Sequence, residues 1–423
     1  MINERSLRAI DGLRDGPDYV RPYEGVYSFA TIPSMVRQAF GDRRVASGLV
    51  TQLIGPLAGE FDRVVLCLVD GFGWRFLEQF EGRYPFLHRL VTEGYVTKLE
   101  AQFPSTTTAH VTTLHSDMPV AEHGLYEWLS YDPTVDRIIC PLRFSYAGDD
   151  EEAGNLLAGG IQPEAVLPRG RHYTALAELG VSSRLFQSRV FTPSPYMHVA
   201  GSDVEAIPTD GPADGARQLA EAVLAERGRG FFFLYAGELD SAAHRHGIGS
   251  PQFVTAADEV MSALEALHGQ LAGKAASTLL LVTADHGLVE SRIDRLVRLE
   301  EAAPELGDWM RRSRDGWRLA PAGSGRDLFL HVEDAHLEAA VALLADRLAG
   351  VAEVRPTRDL ISEGYFRGEA SARFRSGMAD LAVLPRRLDL VWWNEGGRFR
   401  KIPGHHGGLS PEEMEIPLLA SAY

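Results

Sequence analysis

The chain has 423 residues, with 42 Lys and Arg against 58 Asp and Glu and a formal net charge of −16. Such a length can bury a large core and fits two or three structural units. The acidity excludes a general nucleic-acid or membrane-surface binder, which needs a basic face, although bound metal would still let the protein hold phosphate.

The N-terminal stretch Met1-Ile2-Asn3-Glu4-Arg5-Ser6 lacks the basic start and apolar core of a secretory signal. No run reaches the roughly 20 apolar residues of a membrane span, so a soluble, cytoplasmic protein is expected. Cys67 lies within an apolar run and Cys140 follows Ile138-Ile139. Both read as small core residues of a reducing compartment, not as a disulfide framework or a cysteine-rich zinc site.

A helical segment is expected from Ser34 to Leu57. Val64-Val65-Leu66-Cys67-Leu68-Val69 has the character of a strand buried on both faces in a parallel sheet. It ends at Asp70 and passes through Gly71-Phe72-Gly73 into a helix expected from Trp74 to about Val91. An extended stretch from Tyr95 to Phe103 ends at Pro104-Ser105. Thr106-Thr107-Thr108-Ala109-His110-Val111-Thr112 then opens a helix, placing a hydroxyl at a positive helix N-terminus.

From Tyr131 to Pro195 the periodicity weakens and Gly, Pro and acidic residues collect, as in Gly148-Asp149-Asp150-Glu151-Glu152, which predicts an excursion from the sheet. Alternation returns with a helix from Asp214 to Arg227, a strand at Phe231-Phe232-Phe233-Leu234-Tyr235, a helix from Phe253 to Leu271 and a strand from Thr278. Ser291 to Asp380 has the pattern of a small α+β insertion, with a strand at Leu328-Phe329-Leu330-His331-Val332 and a helix from Leu337 to Leu348. The predicted organisation is a core in three parts, 1–130, 201–290 and 381–423, interrupted by an insertion or cap at 131–200 and the α+β insertion at 291–380.

Three apolar runs lead to carboxylates, Asp70, Asp240 and Asp285, and in open α/β sheets ligands gather at the carboxyl ends of strands. Asp240 and His244 are one helical turn apart, so a carboxylate and an imidazole share a face at a chelating spacing. Asp285 and His286 are adjacent in Thr283-Ala284-Asp285-His286-Gly287, where irregular backbone turns both to one centre. Each pair alone reads equally well as surface polar residues. Together, following apolar strands, they point to metal, and oxygen with imidazole ligands suits zinc.

Taken in order, Val69-Asp70-Gly71-Phe72-Gly73, Phe103-Pro104-Ser105-Thr106-Thr107, Asp240-x-x-x-His244, Ala284-Asp285-His286-Gly287 and His406-Gly407-Gly408 resemble the alkaline phosphatase superfamily. The resemblance is closest to its nucleotide pyrophosphatase/phosphodiesterase branch and covers about Phe61 to Gly124, Phe231 to Leu288 and the C-terminal stretch. It implies an α/β fold, a three-layer sandwich with a mainly parallel sheet, helices on both faces, and insertions. It also implies two divalent metal ions, Zn2+, one held by Asp240, His244 and His406 and the other by Asp70, Asp285, His286 and the Thr107 hydroxyl.

Thr107 is then the nucleophile, because aligning Phe-Pro-Ser-x-Thr selects it and leaves Thr106 and Thr108 as cap or packing residues. Coordination lowers the pKa of a threonine hydroxyl, so no separate base is required. Hydrolysis would proceed through a phospho-Thr107 intermediate.

The branch usually places an asparagine four residues after the glycine of its His-Gly pair, and here that position is Trp128. His110 or the backbone N–H after the nucleophile stands in as the group for the phosphoryl oxygen, the other reading of His110 being a ring packed on the inner face of its helix. Trp128, Tyr126 and Phe72 fit either an aromatic wall or the core, and Arg143 fits either a distal substrate anion or solvent. His405, His246 and His123 read as neighbours of the ligands or structural residues. Cys140-Pro141-Leu142-Arg143 is misordered for the Cys-x-Pro-x-Arg of sulfatases.

The expected activity is hydrolysis of a small-molecule phosphate ester, with phosphodiesters or nucleotide pyrophosphates preferred. A phosphomonoesterase or phosphonate hydrolase is the alternative on the same site. A phosphomutase, generally built on serine and manganese, fits less well, as does a non-catalytic binding module, since every candidate ligand is present. No stable nucleic-acid or membrane partner is expected.

Overall fold

The apolar runs form the middle of a seven-stranded sheet. The computed structural model describes residues 1–148, 153–201, 204–393 and 402–423, so the acidic run at 149–152 lies outside the described residues. In chain order the strands are β1 (Arg63–Val69), β2 (Tyr95–Glu100), β3 (Val181–Ser188), β4 (Glu205–Thr209), β5 (Arg229–Ala236), β6 (Thr278–Thr283) and β7 (Glu415–Ala422). Their spatial order is β2-β7-β6-β1-β5-β3-β4. Neighbours are parallel except at β7, which lies antiparallel between β6 and β2. β1 is flanked by β6 and β5 and covered on both faces, so residues 64–69 carry no charged or hydroxyl side chain.

Pro85–Glu93, Pro212–Ala225 and Pro251–Leu271 pack together as one helical layer. Ile32–Ala39, α1 (Thr107–Ser116) and His172–Glu178 form the other. The fold is thus an α/β three-layer arrangement with helices on both faces of a mainly parallel sheet. No helix among the described residues is long and apolar enough to cross a membrane.

Four elements depart from the sequence reading. The segment from Ser34 to Leu57 is two helices, Ile32–Ala39 and Leu49–Ile54, parted by a loop at 40–48 that holds Gly41 and Gly48, both at positive φ. β3 falls within the stretch assigned to an excursion; one strand from the sheet edge, it carries Ser182, Ser183, Arg184 and Gln187, so no apolar run announces it. The long helix from Trp74 is two, Trp74–Phe80 and Pro85–Glu93, because Pro85 has no N–H to continue a helix and favours the first turn of a new one. Leu381–Pro385, assigned to the returning core, is an inner strand of a four-stranded antiparallel sheet in the order 322–323, 328–330, 381–385, 352–356. The small α+β unit therefore continues past residue 380.

Alternation explains how that unit is attached. Leu328, Leu330, Leu381 and Val383 pack beneath helix Leu337–Arg347, while Phe329, Ala382 and Leu384 join the main core. Both faces of the small sheet are buried, so its strands read as apolar runs.

At the end of β2, burial pushes the Glu100 carboxyl up to about 8 against the opposing charge of Arg367. A folded-state value above the unfolded one means that the fold holds a proton the open chain releases, so this stabilisation is complete below about pH 4.5 and is lost as pH rises towards 8. Glu100→Gln is expected to flatten the decline in stability between about pH 5 and 8. Urea midpoints of both proteins across that range check it, and parallel curves would refute it.

Candidate active site

β1, β5 and β6 leave the sheet at one level: Val69 is opposite Ala236 and Leu68 is opposite Thr283. Asp70 follows β1 directly, Asp285 follows β6 after one residue, and Asp240 lies in the first turn of α2 (Glu238–His246) after β5. Gly71, at φ +76°, turns the first chain so that its N–H donates to Asp285 Oδ1 at 3.1 Å. A Cβ on Gly287 would stand 2.0 Å from the Glu412 carbonyl, so that turn tolerates only glycine at its closest approach.

The histidines are oriented by backbone. His244 Nδ1 lies 2.8 Å from Gly404 O, His286 Nδ1 3.0 Å from Gly287 O and His406 Nδ1 3.1 Å from Ser105 O. These contacts assign the proton to Nδ1 and leave a lone pair on each Nε2. Each Nε2 faces carboxylate oxygen: His244 and His406 are 3.2 and 3.8 Å from Asp240 Oδ1, and His286 is 3.4 Å from both Asp70 Oδ1 and Asp285 Oδ2. Asp70 Oδ1, Asp240 Oδ1 and Asp285 Oδ2 are all buried without a hydrogen-bond partner.

Acceptors thus face acceptors, an arrangement that repels unless a cation lies between them. Two ligands at about 2.1 Å in a tetrahedron are about 3.4 Å apart, so these separations fit the edges of divalent-metal polyhedra. The donor atoms of Asp70, Asp285 and His286 lie within 4.8 Å of one another, as do those of Asp240, His286 and His406, so His286 belongs geometrically to both groups. The charges at Asp70 agree: burial and then Asp285 and Asp240 push its carboxyl well up, the mark of gathered carboxylates whose mutual repulsion a cation would relieve. Burial and then His286 depress His406.

Thr107 is the first residue of α1, after Thr106 in extended conformation. Its Oγ1 is 3.2 Å from His286 Nε2 and 3.4 Å from Asp70 Oδ2, at the positive end of the helix. The turn before it is tied to the His406 loop, since Ser105 Oγ donates to Gly408 O at 2.7 Å and accepts from Gly407 N–H at 3.2 Å. His110 is fully buried, accepts the Gln102 N–H on Nε2 at 2.8 Å and donates from Nδ1 to Thr106 O at 2.7 Å. Both ring nitrogens are therefore used by backbone, so His110 braces the turn before Thr107 and has no atom to offer a phosphoryl oxygen.

Above Thr107 opens a cleft of about 300 Å³ whose walls include Trp128, Arg143, Phe191 and Tyr196. Of the three aromatics considered for a wall, only Trp128 is there. Phe72 is core, and Tyr126 packs its ring 5.1 Å from Phe329, between the core and the small unit. His246 is exposed and His123 contacts Thr113 and the Ala109 carbonyl, so neither joins the site.

Sequence reasoning misses Tyr235, whose hydroxyl donates to Asp70 Oδ2. Its place near the carboxyl end of β5 was the available signal. It also misses the buried pair behind the His406 loop, Arg326 and Glu413, and Ser324, which donates to Asp327 Oδ1 at 2.6 Å and to His406 O at 3.2 Å.

A family model for type I phosphodiesterase / nucleotide pyrophosphatase matches residues 64–388. No curated protein matches the chain. Among solved structures, murine ectonucleotide pyrophosphatase / phosphodiesterase 5 is similar with a TM-score of 0.61 at 17% identity, covering 85% of this chain and 88% of that one. The human protein of that name gives 0.62 at 16%, with 85% and 87% covered. Phosphonoacetate hydrolase from Sinorhizobium meliloti 1021 gives 0.58 at 13%, with 85% and 89% covered. These likenesses carry the fold, and the family match carries the class: the chain belongs to the type I phosphodiesterase / nucleotide pyrophosphatase family of the alkaline phosphatase superfamily and is a phosphoester hydrolase.

Proposed function

We propose that this hydrolase cleaves phosphodiesters or nucleotide pyrophosphates with Thr107 as nucleophile at a pair of zinc ions. The observation that carries the reading is the set of unpartnered, buried aspartate oxygens facing imidazole lone pairs beside Thr107 Oγ1. Asp240, His244 and His406 would hold one ion, and Asp70, Asp285, His286 and Thr107 the other. When bound, the ions lower the pKa of the threonine hydroxyl and offset the negative charge of the phosphoryl oxygens.

Thr107 Oγ gives up its proton to solvent and attacks phosphorus, forming an Oγ–P bond as the bond from phosphorus to the leaving oxygen breaks, and the departing oxygen takes a proton from solvent. Water then attacks the phospho-Thr107 phosphorus, and the Oγ–P bond breaks to restore the hydroxyl. Asp70, held by Tyr235, fixes one side of the nucleophile. With His110 occupied, the Thr108 N–H in the first turn of α1 is the donor left for a phosphoryl oxygen. An inactive form of the murine relative is in complex with AMP, which supports the nucleotide class.

Elemental analysis after zinc loading is expected to find about two ions per chain, and chelation to abolish turnover that zinc restores. Fewer than about one ion would overturn the two-metal reading. Rates on monoester, diester, pyrophosphate and phosphonate substrates test the ester class, which falls if monoesters are turned over orders of magnitude faster. The phosphonate arm is included because of the likeness to phosphonoacetate hydrolase.

A further inference from the structure

A cleft of about 300 Å³ has the liquid volume of about ten waters, several times what a phosphoryl group needs. Apart from the aspartates at its floor, its described lining is largely apolar and carries one cationic side chain, Arg143. This residue lies in the loop between strands Arg137–Cys140 and Ser145–Tyr146 of a small antiparallel sheet. The loop is held in place: Gly154 N–H donates to the Arg143 carbonyl at 2.9 Å, and the next residue, Phe144, is fully buried.

The guanidinium is not so held. Arg143 Nε is buried without a hydrogen-bond partner. Arg37 and Arg63 also leave Nε unmatched, but each sets an Nη on a carboxylate or a carbonyl, Arg311 Nε lies 3.3 Å from Asp380 Oδ2, and Arg75, whose Nε is likewise unmatched, lies over the Phe76 ring and does not line the cleft. Arg143 makes no such contact among the described residues. Buried polar groups are normally paired, so a cationic donor left open on the wall of a substrate cleft marks where a ligand's acceptor sits.

We propose that Arg143 is a specificity residue that receives a second anionic group of the substrate, a carboxylate or a terminal phosphate carried beyond the scissile phosphoryl group. A guanidinium meets either anion with two parallel N–H donors, and the apolar walls beside it strengthen the attraction. The Thr107 reaction proposed above is the chemistry this recognition serves.

Three 4-nitrophenyl phosphodiesters whose second ester group is ethyl, 2-carboxyethyl or 2-phosphoethyl test it. The zinc-loaded enzyme is expected to prefer an anionic ester over the ethyl ester in kcat/KM, and the two anionic arms tell carboxylate from phosphate. Arg143→Gln is expected to collapse that ratio by roughly 10- to 100-fold, with the change in KM, and Arg143→Lys to restore part of it. A wild-type enzyme without preference, or a variant that slows all three esters alike, would overturn the proposal. Loss of the nucleophile reading would show separately, as full turnover of the ethyl ester by Thr107→Ala.

Discussion

Thr107→Ala is expected to lower kcat on a diester by roughly 10,000-fold or more, the scale on which removal of a nucleophile acts in other covalent hydrolases. The fold should not suffer. Thr107 is the first residue of α1, alanine is the best helix former, and Thr106, in extended conformation, still precedes the helix. A loss of rate without a loss of stability then isolates the Oγ. Thr107→Ser keeps a hydroxyl at the same position and is expected to retain far more activity. Acid quenching during turnover should leave one phosphoryl group on the peptide carrying Thr107 in the wild type and none in the alanine variant. Wild-type rates from the alanine variant would refute the nucleophile assignment outright.

Glu413→Gln is expected to have the largest effect on stability, about 3–5 kcal/mol in denaturant unfolding. Arg326 and Glu413 are completely buried and meet in two parallel contacts, Nε to Oε1 at 3.0 Å and Nη2 to Oε2 at 2.8 Å. Burial alone would raise the Glu413 carboxyl, and the guanidinium outweighs it and holds the group below its ordinary value. Removing one charge leaves the other without compensation in the interior. The same carboxylate accepts Gly408 N–H at 3.0 Å, Ser410 N–H at 3.2 Å and Ser410 Oγ–H at 2.6 Å, so it also shapes the loop that follows His406. Zinc affinity is therefore expected to fall by roughly 10- to 100-fold in this variant. A stable Glu413→Gln protein with unchanged zinc affinity would show that the pair does neither job.

What the sequence discloses depends on whether a side chain's surroundings leave a mark on residue type. β1, β5 and β6 are evident because strands covered on both faces need unbroken apolar runs, and Asp70, Asp240 and Asp285 stand at or just beyond their ends. β3 is hidden because a strand near the sheet edge keeps polar residues. Leu381–Pro385 is apolar enough to be seen as a strand, but its partners, 328–330 and 352–356, are set by distant pairing that hydropathy does not encode. His110 illustrates the limit at the site. Its partners are the backbone N–H of Gln102 and the carbonyl of Thr106, groups common to nearly every residue. Aromatic type likewise fails to separate Trp128 in the cleft from Phe72 and Tyr126 in the interior.

The position of β7 has a consequence for how the molecule comes into being. Because it is the last strand in the chain yet lies between β6 and β2, those two strands have no shared ladder until residues 415–422 arrive. A chain still under synthesis presents two open strand borders, one on each, to the crowded space around the ribosome. The His406 loop precedes β7 by nine residues, so the same segment brings an imidazole to Asp240 and closes the sheet. Closure of the sheet and placement of the His406 ring beside Asp240 therefore depend on the docking of one segment, residues 404–422.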